Sequence, residues 1–235
     1  MQNTEFQTGA IKPLECLNEA WALIKDDYWL FFAIVLVGAL IGGMTFYVLI
    51  GAMVCGIFLC FFTKIDTGRV SFDDLWKGLS FFMPSLLAVI VIVVPVVIWI
   101  VVLFATIYGP LITAAVMGPK VGPNELLAVF GGALLVDIIV AIFMVCFHTL
   151  LMFTFPLIVD RRLSSWVAIR TSARAVLKNI GGVAGLFALN FAITLVGELA
   201  FCIGIYFAIP VVFAVNAVAF RKVFPRLPAS SFSNV

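Results

Sequence analysis

The chain has 235 residues, 64% hydrophobic and only 11% charged, with a net charge of +2 and a mean hydropathy of +1.24. A soluble domain carries about 25% charged residues, so this composition excludes a core covered by water and makes sense in a bilayer. The small net charge says nothing about partners; the positions of the charges do.

Glu5, Lys12, Glu15, Glu19, Lys25, Asp26 and Asp27 load the first 27 residues with charge. That argues against a cleavable signal peptide and makes the first membrane helix its own insertion signal. Leu14, Leu17, Trp21 and Ile24 follow Pro13 at spacings of 3, 4 and 3, which predicts an amphipathic helix with proline in its first turn. Tyr28–Thr63 then runs 36 residues without a charge, about 54 Å as one helix and nearly twice the hydrocarbon thickness. It reads as two spans, 28–43 and 44–63, turning near Gly42-Gly43. Gly38 and Gly42 form a GxxxG that permits close helix contact.

The next loop holds Lys64, Arg69 and Lys77. It repeats the 3, 4, 3 pattern in Phe72, Leu75, Leu79 and Phe82, with Ser71 as cap and Asp74 as capping-box partner. Gly78–Pro119 supplies a third span, 82–104, kinked at Pro95, and a surplus broken by Gly109-Pro110 and Gly118-Pro119. Residues 106–132, which include Gly122-Pro123, form an outer segment that either re-enters the bilayer or lies at its surface. Leu126–Val159 supplies the fourth span, 137–159, kinked at Pro156.

The stretch FPLIVDRRLSSWVAIRTSARAVLKN, Phe155 to Asn179, crowds Arg161, Arg162, Arg170, Arg174 and Lys178 between two apolar regions. Trp166, Ile169, Ala173 and Val176 again share a helical face, edged by Arg170, Arg174 and Lys178, with Ser164 or Ser165 as cap. Such a helix can lie in the headgroup layer with its long basic side chains reaching anionic phosphates. Asn179–Phe220 gives the last two spans, 180–198 and 202–220, turning near Gly197-Glu198.

With both ends of the chain in the cytoplasm, 13 of the 14 basic residues fall on the inner side, and only Lys120, beside Glu125, falls outside. This is the bias of the positive-inside rule. The expectation is an all-α integral membrane protein. Residues 1–27 form a cytoplasmic segment with an amphipathic helix, 28–222 a membrane domain of six transmembrane helices, and 223–235 a cytoplasmic tail. The six spans form three hairpins, each preceded by a cytoplasmic amphipathic helix.

Polar groups inside the membrane are expensive and draw functional readings. His148 and Asp137 lie on nearly the same helical face, about 16 Å apart along the axis; with Asn190 they could line a polar path. The competing reading makes Asp137 interfacial and has His148 bond to a neighbouring helix. Asn190 and Asn216 read as amides bonding across helices, and Glu198 as a solvated turn residue. Cys16, Cys55, Cys60, Cys146 and Cys202 lack paired spacing and read as small apolar residues. No catalytic, cofactor-binding or metal-binding set stands out: there is no HExxH, phosphate-binding glycine loop or serine nucleophile turn. The basic residues lack interleaved exposed aromatics, which argues against nucleic acid.

Phe155-Pro156-Leu157-Ile158-Val159-Asp160, then Leu163-Ser164, Ala168-Ile169 and Ser172, resemble the pattern F-x-L-P-L-x-V-D-x-x-L-S-x-x-x-A-(L/I)-x-x-S, with Phe155 in place of its leucine before the proline. Ser71–Gly78 and the closing Phe220-Arg221-Lys222-Val223-Phe224 match two further motifs. In these the chain resembles a family of uncharacterised bacterial inner-membrane proteins related to the membrane domain of some glycerophosphodiester phosphodiesterases. The resemblance covers most of the chain and implies a six-helix body in the bacterial inner membrane, with no established activity. The chain departs from the pattern in lacking a fused catalytic domain and in its apolar segment Thr106–Gly132.

Three functions compete. The favoured one is a non-catalytic scaffold or accessory protein holding anionic lipid, or a membrane or cytoplasmic protein partner, through Arg161, Arg162, Arg170, Arg174 and Lys178. The alternative is a transporter or lipid-handling protein with a polar path near Asp137, His148 and Asn190. A lipid or isoprenoid enzyme would need convergent acids, but Asp73, Asp74, Asp137 and Asp160 divide between the two sides.

Overall fold

Residues 5–117, 122–199 and 203–226 are described by a computed structural model, and all regular structure among them is helical. Among the described residues nine α-helices follow in chain order: α1 Pro13–Ile24, α2 Tyr28–Met44, α3 Ile50–Thr67, α4 Phe82–Met117, α5 Pro123–Leu150, α6 Thr154–Arg161, α7 Ser165–Lys178, α8 Ile180–Leu199 and α9 Gly204–Val223. The 3-10 helices Lys25–Asp27 and Phe72–Phe81 lead into α2 and α4. Among the described residues six helical stretches are long and apolar enough to cross a membrane. The chain divides into two units: residues up to Val89 with those from Leu150 onward, and Ile90–Thr149.

The first unit is held by small residues that let backbones touch. Gly38 and Gly42 of α2 are buried, facing Ile57 and Ile50 of α3. The turn between α2 and α3 falls at Thr45–Leu49 rather than at Gly42-Gly43, so α3 begins at Ile50, not at 44. Thr45 makes this turn: its hydroxyl lies 2.8 Å from the Ile41 carbonyl and 3.1 Å from that of Gly42, and accepts from the Leu49 N–H. Phe46 and Tyr47 adopt positive φ of 50° and 64° there.

The 3-10 helix Phe72–Phe81 lies against α3. Its threefold period buries Leu75 and Gly78 and leaves Leu79 exposed, unlike the α-helical face Phe72–Leu75–Leu79–Phe82. A methyl on Gly78 would sit 2.6 Å from the Gly56 Cα, and one on Gly56 would meet the Leu75 carbonyl. Ser71 caps this helix by accepting from the Asp73 N–H, while Asp74 pairs with Lys77 at 2.6 Å instead of closing a capping box.

Aromatic rings fill the space among α2, α3 and α9. Phe31 stacks on Phe61 at 4.4 Å, Phe213 meets Phe58 at 5.3 Å, and Phe220 joins Phe62 to Phe224. On α1, Cys16, Ala20 and Ile24 are buried, whereas Leu14 and Trp21 of the expected apolar face are 71% and 51% exposed. Small side chains on that side let α1 lie close along α9 and α8. Cys55 and Cys60 are also buried and unpaired. The segment before α1 is tied down as well: the Gln7 N–H donates to the Val223 carbonyl, and the Gly9 N–H to Asn179 Oδ1 at 2.7 Å.

The expected spans 82–104 and 137–159 change most. Helix α4 continues through Pro95 and Pro110 to Met117, and α5 begins at Pro123, so the described part of 106–132 is largely helical. The expected fourth span is two helices, because α5 ends at Leu150 and α6 starts at Thr154. Pro156 therefore sits in the first turn of α6, where its missing N–H costs no helical bond. Spans 180–198 and 202–220 correspond to α8 and α9. Gly118-Pro119, Lys120 and Cys202 lie outside the described residues.

Candidate functional site

Helix α7 is built with two unlike faces. Ser165, Ala168, Thr171, Ser172, Ala175 and Val176 are buried in the first unit. The Ser172 hydroxyl donates to the Leu150 carbonyl at 2.7 Å and accepts from the Phe153 N–H at 3.1 Å. It thereby satisfies both backbone groups freed where the chain breaks between α5 and α6. Each such bond contributes about 0.5–1.5 kcal/mol, and more is lost if a buried group is orphaned. Asn179, 4% exposed, closes the other end, its amide donating to the carbonyls of Gln7 and Ala175.

The opposite face of α7 carries Trp166, Arg170, Arg174, Leu177 and Lys178, all exposed. The Arg170 guanidinium lies over the Trp166 ring at 4.8 Å, a pairing of cation and aromatic face suited to an interface. Among the described residues no carboxylate pairs with Arg162, Arg170, Arg174 or Lys178.

Arg161 behaves differently from its four companions. Its side chain is 5% exposed; Nε donates to Asp160 and Nη2 to the Pro225 carbonyl. Asp160 also receives Arg221 Nη1 at 2.6 Å, and Arg221 Nη2 reaches Asp66 at 2.7 Å, where Arg226 joins. Arg221 lies over Phe62 at 4.5 Å. These bonds join the ends of α3, α6 and α9, so Arg161 is spent on structure. Nearby bases are paired too: Lys222 with Glu19 and Glu15, and Lys64 with Asp27.

Arg162 ends α6 with φ 49° and ψ 37°. Glycine usually takes this left-handed position, and a side chain there costs about 1–2 kcal/mol. The side chain lines a cleft of about 320 Å³ with Ser80, Phe81, Pro84, Ile158 and Leu163. The Ser165 hydroxyl pins one wall by donating to the Pro84 carbonyl at 2.6 Å. The Ser80 hydroxyl is within donating distance, 2.7 Å, of the Lys77 carbonyl.

The polar residues expected inside the membrane have partners within their own units. In the second unit Thr106 Oγ1 is 3.0 Å from Asp137 Oδ2, and His148 Nδ1 meets the Met144 carbonyl of its own helix at 2.8 Å. In the first unit Asn190 Nδ2 donates to Asn216 Oδ1 at 3.0 Å, linking α8 to α9. The sequence reading missed the Asp66–Arg221–Asp160 network and the roles of Ser172 and Asn179. Its only signals for them were the closing Phe220–Phe224 motif and the serine ending the Phe155–Ser172 pattern. No family model, curated protein or solved structure matches the chain.

Proposed function

We propose that this is a multi-pass protein of the bacterial inner membrane, its ends cytoplasmic, that works without catalysis by holding anionic lipid on its inner surface. One observation carries this reading. Arg162, Arg170, Arg174 and Lys178 project without carboxylate partners among the described residues, while the bases at the ends of α3 and α9 are paired internally. Unpaired cations beside an exposed Trp166 and Leu177 suit a headgroup layer, where anionic phosphates replace the missing carboxylates. In this reading α7 is a surface helix ahead of the α8–α9 hairpin, and α1 and Phe72–Phe81 stand likewise before the other two hairpins. The resemblance seen in the sequence supports the bacterial location.

The polar-path alternative has less behind it, since His148 is bonded to its own helix and Asn190 to Asn216. The test uses the full chain in vesicles containing spin-labelled phosphatidylglycerol or phosphatidylcholine. Combined Arg170→Glu, Arg174→Glu and Lys178→Glu should abolish the preference for the anionic lipid, and salt should weaken it in the parent. An unchanged preference in the triple variant would refute the reading; no preference in the parent would refute it too and favour a protein partner.

A further inference from the structure

We infer that the cleft at the end of α6 is a specific site for one glycerophospholipid whose anionic headgroup carries a free hydroxyl. The inference rests on the reading that this surface meets the inner leaflet, and it names the ligand. A cleft of about 320 Å³ is at the small end of ligand pockets, which start at about 300 Å³, so it takes a headgroup and not a whole lipid.

Its walls have two characters. Phe81, Pro84, Ile158 and Leu163 are apolar and suit the glycerol backbone and the first methylenes, while Arg162 supplies a guanidinium with no carboxylate partner among the described residues. A guanidinium presents two parallel N–H groups to a phosphate. Ser80 adds selectivity. Its proton points to the Lys77 carbonyl, so the oxygen offers lone pairs, which suit a headgroup bearing its own O–H. A phosphodiester whose headgroup lacks a hydroxyl offers no such group. The cleft also lies where Phe72–Phe81 passes into α4, whose Met83 and Leu87 are exposed to serve as a track for acyl chains.

The backbone at Arg162 points the same way. Glycine would adopt a φ of 49° without strain, so the turn by itself does not call for an arginine. Arg162→Gly is therefore the informative substitution, since it relieves the backbone while removing the side chain that carries the guanidinium. The full chain, purified in mild detergent and supplied with phosphatidylglycerol, phosphatidic acid, phosphatidylcholine or inorganic phosphate, is followed by native mass spectrometry. The parent should keep one phosphatidylglycerol per chain. Arg162→Gly should bind it at least tenfold more weakly yet unfold at no lower temperature, and Ser80→Ala should narrow the preference over phosphatidylcholine. The Arg170→Glu, Arg174→Glu, Lys178→Glu variant should keep the tightly bound lipid, which separates this site from the broader surface. Undiminished phosphatidylglycerol binding in Arg162→Gly, equal binding of phosphatidylcholine, or displacement of the lipid by inorganic phosphate would each overturn the inference.

Discussion

Replacing Arg221 by glutamine removes the guanidinium that joins α9 to both α3 and α6. The side chains of Arg221, Asp66 and Asp160 are 10–13% exposed, and the two bonds measure 2.7 and 2.6 Å. Charge-assisted bonds contribute about 1.5–3 kcal/mol each, and breaking a buried ion pair costs about 3–5 kcal/mol. Neither carboxylate is left alone, because Asp160 keeps Arg161 and Asp66 keeps Arg226. Arg226 is 62% exposed, so its attraction is screened and compensates little. The expected loss is about 3 kcal/mol, at the lower end of the range for a broken buried pair. Reversible unfolding in mixed micelles measures it, and a double-mutant cycle with Asp160→Asn should give a coupling of about 1–3 kcal/mol. Additivity of the two substitutions to within about 0.5 kcal/mol would refute the argument that these ends are joined through a desolvated network.

Two further substitutions probe the packing. Gly56→Ala drives a methyl into the Leu75 carbonyl and should cost about 3 kcal/mol or more, whereas Gly181→Ala, with open space around the added carbon, should be neutral or slightly stabilising; unfolding of both in micelles checks the contrast. Ser172→Ala leaves the Leu150 carbonyl and Phe153 N–H without their partner and should cost about 1–3 kcal/mol, with faster hydrogen exchange confined to the α5–α6 junction.

Hydropathy made the number of long apolar helices legible, because solvation by lipid acts on composition and length. It misplaced several of their ends, which depend on single side chains. The Gly42-Gly43 pair looked like a turn, but the helix continues through it, and Thr45 ends it by returning its hydroxyl to the preceding turn. Phe46 and Tyr47 gave no hint of positive φ, since bulky residues rarely adopt it. Reading α1 by its large apolar residues chose Leu14, Leu17, Trp21 and Ile24; Ile24 is covered but Leu14 and Trp21 are not, because membrane helices approach one another on small residues, here Cys16 and Ala20. Among the five clustered cations, spacing could not separate Arg161 from Arg162, because the carboxylate and carbonyl that take up Arg161 come from Asp160 and the distant Pro225.

The ties of residues 7–9 to Val223 and Asn179, and the docking of α1 along α9, bear on how the molecule is made. Partners some 200 positions apart cannot meet until the ribosome has reached the later one, an interval of about 10–40 s at ordinary elongation rates. For that time the cysteine and alanine side of α1 has nothing to nest against, and early helices must enter the bilayer with their opening segment undocked. Closure comes last, so a chain stalled before residue 204 should display α1 to proteases or to an insertion factor that never meets it in the finished protein.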